Sequence, residues 1–152
     1  MELKSFFKTL TLIHAALVGG LVLVTVFAIL QEKGFESYTD PGNVFLYIVP
    51  IVALIGYFGS QFVFRKAMAK ILLDQSLKEK LNGYFAALVM KFAFLEAPAL
   101  LALFAYYSSG NALPLVIALC LLAYLIVQRP TKNHSIHCLP LTRDEIRIIE
   151  NS

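Results

Sequence analysis

Residues 87–107 read ALVMKFAFLEAPALLALFAYY. This is an apolar run of bilayer-spanning length, with one acid, Glu96, near its middle and one base, Lys91, about a turn and a half closer to its start. An ionisable side chain deep in hydrocarbon is costly, so it faces a packed interior, a partner or a water-filled cavity. The stretch therefore reads as the central helix of a membrane protein, with the rest of the chain arranged around it.

The composition agrees. Of 152 residues, 59% are hydrophobic and 15% charged, against a charged fraction of about 25% in soluble domains. Four runs approach the ~20 residues that a helical span requires: about 10–30, 44–64, 84–107 and 112–128, with a tail over 129–152. The expected fold class is all-α, a four-transmembrane-helix bundle in a single integral membrane domain. The first apolar run is too long for a signal-peptide core, so it is expected to stay in the protein.

Charge sets the expected orientation. Twelve of the thirteen lysines and arginines fall at the amino terminus (Lys4, Lys8), between Arg65 and Lys91, or in the tail; only Lys33 lies in the other loops, beside Glu32, Glu36 and Asp40. Positive residues are retained on the cytoplasmic side, so both termini are expected there, in a bacterial inner membrane. The net charge of +3 follows from this topology and from contact with anionic lipid, and no nucleic-acid partner is implied. Between spans two and three, Met68, Ile71, Leu72, Leu77 and Leu81 recur among charges, which predicts an amphipathic cytoplasmic connection, a helix that continues out of span two, lies partly in the interface and is broken by Asn82-Gly83. Asp40-Pro41-Gly42-Asn43 predicts a turn in the short outer connection. Span four carries few polar groups and reads as lipid-facing. Thr142 with Glu145 has capping-box spacing, which predicts a short terminal helix.

Small residues mark the faces that expect a close helical neighbour. Ala15 with Gly19, Ala16 with Gly20, Gly56 with Ser60, and Ala93 with Ala97 each stand four apart. The polar residues follow depth. His14, Tyr57, Ser60, Gln61 and Lys91 fall in the inner half and Glu96 near the midplane, so facing spans would form a polar track from the cytoplasm to mid-membrane. Lys91 is placed to extend its ammonium toward the headgroups. Pro98 leaves the carbonyl of Phe94 without its helical donor, and a protonated Glu96 is placed to donate either to that carbonyl or to a polar group on another span. No comparable set occupies the outer half, so a buried hydrogen-bond network is the preferred reading over proton transfer.

His134, His137 and Cys138 cluster in the tail but lack the paired spacings of a zinc site, and no metal or cofactor is expected. Cys120 lies in span four and Cys138 in the tail, so no disulfide between them is expected. The chain has no phosphate-binding glycine loop, no His-Glu-x-x-His pattern and no Gly-x-Ser-x-Gly elbow.

Over nearly its full length the chain resembles small four-span bacterial inner-membrane proteins of unknown function, through its basic central loop, Glu96-Ala97-Pro98 in span three and Arg129-Pro130 after span four. That resemblance implies the topology and no activity. Locally, residues 92–107, FAFLEAPALLALFAYY, resemble the carboxylate-bearing helix of the proton-translocating proteolipid subunits of rotary ATPases. This implies that Glu96 is a protonatable site. Pro98 and the position of the acid in the third span depart from the proteolipid pattern, so nothing about a rotating ring carries over. The expected function is a non-enzymatic accessory or assembly protein that packs against itself or a larger membrane complex. The alternative is a proton- or ion-coupled component using Glu96, with His14, Tyr57, Gln61 and Lys91 lining its inner access path.

Overall fold

A long apolar segment in lipid has one economical way to satisfy its backbone, which is to form a helix. The computed structural model describes residues 2–31 and 42–152, and every apolar run in it is helical: α1 is Leu3–Gln31, α2 Phe45–Ala69, α3 Leu77–Ser109 and α4 Ala112–Val127. Two short helices follow, α5 (Lys132–Cys138) and α6 (Arg143–Glu150), and there is no strand among the described residues. α1, α2 and α3 are long and apolar enough to cross a membrane. α4 has 16 residues, about 24 Å at 1.5 Å per residue, and makes a fourth candidate span only together with α5, which turns away from it by 86°. The outer connection, including the first half of the expected Asp40–Asn43 turn, lies outside the described residues.

The helix ends follow from local chemistry. Ser76 and Glu79 form a reciprocal capping box at the start of α3, and Thr142 with Glu145 does the same for α6. Gly110 takes the left-handed conformation that closes α3, and the Asn111 side chain then accepts from Leu113 N–H to open α4. The expected break at Asn82-Gly83 is not made. α3 runs straight through it, and the chain turns instead at 70–76. Mid-helix Gly costs only about 0.5–1 kcal/mol, which the Ser76 cap and the burial of Leu81 and Tyr84 on either side outweigh. At Gly83 the missing side chain also admits Ile71, whose Cδ1 would lie 3.0 Å from an added Cβ. The amphipathic connection does continue out of span two, as expected, but only to Ala69. Its remaining residues form the turn at 70–76 and the start of α3, and Met68, Ile71, Leu77 and Leu81 pack against the core while Leu72 is exposed.

α3 is the centre of the packing, with its most extensive contact to α2, then α4, then α1. Ring contacts fix the directions. Phe6 meets Phe85 and Phe27 meets Tyr107, so α1 and α3 run parallel; Phe45 meets Phe104 and Phe64 meets Tyr84, so α2 runs antiparallel to α3. Ala87, Ala99, Ala102 and Ala105 of α3 are all fully buried, small side chains that let neighbouring helices approach closely. Large apolar side chains elsewhere point outward. Leu12, Leu23, Leu30, Phe58, Phe62 and Val127 are each more than half exposed, a continuous apolar exterior that soluble monomers do not carry.

Candidate functional site

The polar side chains of the helices converge at the end carrying Lys8, Arg65, Lys66 and Arg129, here called the basic end. Lys91 does not reach out of the helices as expected. It is 6% exposed, donates to Gln128 Oε1 at 2.5 Å, and stands 4.8 Å from the centre of the Phe64 ring, a cation–π distance. The reason lies in α4 and the tail. α4 stops at the level of Lys91, and α5 and α6 fold over the gap it leaves beside the projecting start of α3.

Two polar contacts hold that fold-back. Tyr84 and His134 Nδ1 are hydrogen-bonded at 2.7 Å, and Lys80, fully buried, pairs with Glu145 at 2.9 Å. Lys80 falls in the expected amphipathic connection, and α6 covers it. Burial alone would raise the Glu145 carboxyl, but its hydrogen bonds from Lys80 and Thr142 together with the Lys80 charge hold it below the usual carboxylate range. Burial, with Lys91 and His137 adding positive charge nearby, lowers His134. Burial raises the Cys138 thiol against a smaller opposing pull from Lys91. His134 and Cys138 lie one turn apart on α5, with Sγ 3.6 Å from Nε2, while His137 is exposed. Among the described residues no group of three or more His, Cys, Asp or Glu side chains is placed to hold a metal ion. Cys120 and Cys138 are both free thiols.

α4 is the hub of the remaining contacts, and it does not simply face lipid. The Leu125 carbonyl takes a hydrogen bond from His14 Nε2 at 2.8 Å, and the His14 ring rests 5.1 Å from that of Phe92. Gln61 Nε2 donates to the Tyr124 hydroxyl at 3.3 Å, and Tyr57 packs on Tyr124 at 5.1 Å. The buried Ser60 hydroxyl returns to its own helix at the Tyr57 carbonyl. His14, Tyr57, Gln61 and Lys91 are thus tied to Leu125, Tyr124 and Gln128 of α4, each by a separate contact.

Glu96 stands apart from them. It is half-buried and has no hydrogen bond or ion pair with any described residue. The bond expected to the Phe94 carbonyl is not formed. That carbonyl is covered by Gly56 of α2, where an added Cβ would come within 2.6 Å of the oxygen and 2.3 Å of Pro98 Cγ. The proline's lost donor and the glycine's missing side chain thus coincide at one helix crossing. At about 100° per residue, Glu96 points roughly 140° away from Lys91. It lies instead on the line of Phe92 and Tyr107, the edge of α3 that meets α1. A rise of 1.5 Å per residue puts it about 7.5 Å from Lys91 and about 20 Å from Ser109.

The small-residue faces divide in two. Gly56 and Ser60 are buried against α3. Gly19 and Gly20 have nothing within 4 Å of an added Cβ, and Ala15, Ala16, Ala93 and Ala97 are exposed, Ala97 at the rim of a groove that α2 lines through Val52, Ile55 and Gly56. The residues that sequence reasoning passed over are Tyr84, Tyr124, Gln128 and Lys80; Glu145 was legible as the capping partner of Thr142 but not as the partner of Lys80. Gln128 and Tyr124 had a signal, being polar groups at the inner end of span four; Lys80 had none, since a lysine among charges reads as solvated.

The chain is all-helical among the described residues, and its three to four long apolar helices are compatible with a multi-pass membrane protein. No protein-family model, curated protein or solved structure matches the chain.

Proposed function

We propose that the chain is a non-enzymatic accessory or assembly protein of a bacterial inner membrane, a four-span bundle with both termini cytoplasmic. It works by packing against a second copy or a larger membrane complex through the faces left open on α1 and α3. The observation that carries this reading is the contrast between Gly56, filled from within the chain, and Gly19 and Gly20, open to the exterior. Small residues at lipid-facing positions gain nothing from lipid but let another helix approach. The crowding of basic residues at one end of the helices supports the orientation. A photo-crosslinking side chain placed at Gly20 is expected to trap one discrete protein partner in membranes, and the same group at exposed Leu23 is expected to trap far less. Equal, diffuse adducts at both positions would sink the accessory reading.

The second reading, a proton- or ion-coupled component, rests on Glu96, a half-buried acid with no partner at the α1–α3 edge. Pairwise capture of His14, Tyr57, Gln61 and Lys91 by α4 weighs against an inner path leading to it. In proteoliposomes the native protein and Glu96→Gln are expected to show the same pH-driven proton flux. Flux that disappears in the variant would instead make Glu96 a working proton site.

A further inference from the structure

We infer that the groove between α1 and the α4–α5 corner is a binding site for an anionic phospholipid of the leaflet at the basic end. The groove, about 560 Å³, has Phe7, Leu12 and Ala15 as its apolar wall and Lys8, Arg129 and Lys132 at its rim. No acid lines it. The other basic groove, between the end of α2 and the start of α3, sets Lys66 and Lys70 beside Glu79. Among the described residues the only ion pair is Lys80–Glu145. Lys132 donates to the Ser152 carbonyl, which leaves Lys8 and Arg129 as two cations in the groove with no acidic partner.

The order of these groups along the helices matches the order of groups in a phospholipid. The hydrogen bond from His14 to the Leu125 carbonyl fixes α1 against α4. From that level, Lys8 lies six residues along α1, about 9 Å toward the basic end, and Arg129 lies just past the end of α4 on the same side. Leu12 and Ala15 flank His14 itself, on the hydrocarbon side of the two cations. A phosphodiester at Lys8 and Arg129 thus leaves its acyl chain to run down the wall past Leu12 and Ala15, where Gly19, a turn further on, keeps the path open. Basic pockets between membrane helices recognise anionic headgroups in this way. The inference rests on the membrane-spanning reading above and leaves the Ala16–Gly20 and Ala93–Ala97 faces free for a protein partner.

The test is native mass spectrometry of the purified full chain, titrated with phosphatidylglycerol and with phosphatidylcholine of the same acyl chains. Phosphatidylglycerol is expected to be retained and phosphatidylcholine stripped. Lys8→Gln with Arg129→Gln should weaken phosphatidylglycerol binding roughly thirtyfold, taking the usual contribution of a cation near an anionic surface. Ala15→Phe, which fills the wall and keeps both cations, should weaken it too, whereas Lys66→Gln with Lys70→Gln should leave it unchanged. Excess glycerol 3-phosphate should fail to displace the lipid, since it has the charge and lacks the chain. Equal retention of the two lipids, or an equal loss in the Lys66/Lys70 variant, would overturn the site. Carbonate extraction of the same proteins separates the two levels of failure: release from the membrane pellet overturns the spanning reading, and retention confines any failure to the groove.

Discussion

A methyl group added at Gly56 would lie 2.3 Å from Pro98 Cγ and 2.6 Å from the Phe94 oxygen, closer than any real contact and against groups that have little room to move. Gly56→Ala is therefore expected to destabilise the packing of α2 on α3 by about 1–3 kcal/mol, the usual cost of overfilling a packed interior. Gly20→Ala, with open space around it, is expected to change stability by less than about 0.5 kcal/mol, or to raise it slightly through helix propensity. Thermal unfolding of the two variants in one detergent checks the pair. Equal effects would mean that the exterior and the α2–α3 crossing are not distinguished as described. The spacing of Gly56 and Ser60 showed that a neighbour was wanted. It did not show that the neighbour was the proline turn of α3, because one sequence gives depth along a helix more readily than rotation about it.

Among the elements, the α5–α6 tail is held by contacts that respond to charge. Lys80 is fully buried and Glu145 is 14% exposed, so losing either partner has unequal consequences. Glu145→Gln strands a buried ammonium, while Lys80→Met leaves a carboxylate at the edge that can regain water. The first is expected to free the tail more than the second, since an uncompensated buried charge is the larger penalty. Limited proteolysis after Leu139 reads the difference. Acid acts in the same direction. Glu145 is held below its ordinary value by its Lys80 and Thr142 hydrogen bonds, which outweigh its burial, so its contribution is complete above the ordinary carboxylate range and lost as pH falls through the lowered value. His134 is lowered by burial and by Lys91 and His137, so docking favours the neutral ring and weakens once pH drops below the ordinary value of 6.5. Opening of α5 and α6, read by hydrogen exchange relative to the intrinsic rate at each pH, is expected to rise from pH 7.5 to below the ordinary carboxylate value of 4.5, and His134→Gln should remove the part of that rise nearest neutrality. A flat profile would mean that the tail is held by Leu139 and Ile149 burial alone.

For the molecule as a whole, the two thiols report where water is. Cys120 is exposed on the apolar flank of α4 and Cys138 is half-buried in the tail at the basic end. In sealed inverted membranes a charged, impermeant maleimide is expected to label Cys138 and to leave Cys120 unmodified. In right-side-out membranes it should label neither. Rapid labelling of Cys120 would show that its face meets water and would remove the membrane-spanning reading of α4. α4 is also the shortest of the four apolar helices, about 24 Å at 1.5 Å per residue against a hydrocarbon core near 30 Å. The right-angle turn into α5 and the covering tail place Gln128 and Lys91 under protein at that end, which is where the short helix would otherwise meet headgroups.

Composition and periodicity determined by themselves that the chain is helical, that its apolar runs are long enough for a bilayer, that its basic residues share one end, and that Thr142 would open a helix, visible as a capping box. These depend on residue type and local spacing, which a sequence contains. Only the tertiary structure decided that α3 continues through Asn82-Gly83, that Lys91 and Lys80 turn inward, that α4 collects the contacts of His14, Gln61 and Lys91, and that Glu96 is left apart from them. Each of those depends on helix rotation and on which helix stands opposite, and these are set by side chains far apart in the chain, as Gly56 and Pro98 are, or Lys80 and Glu145.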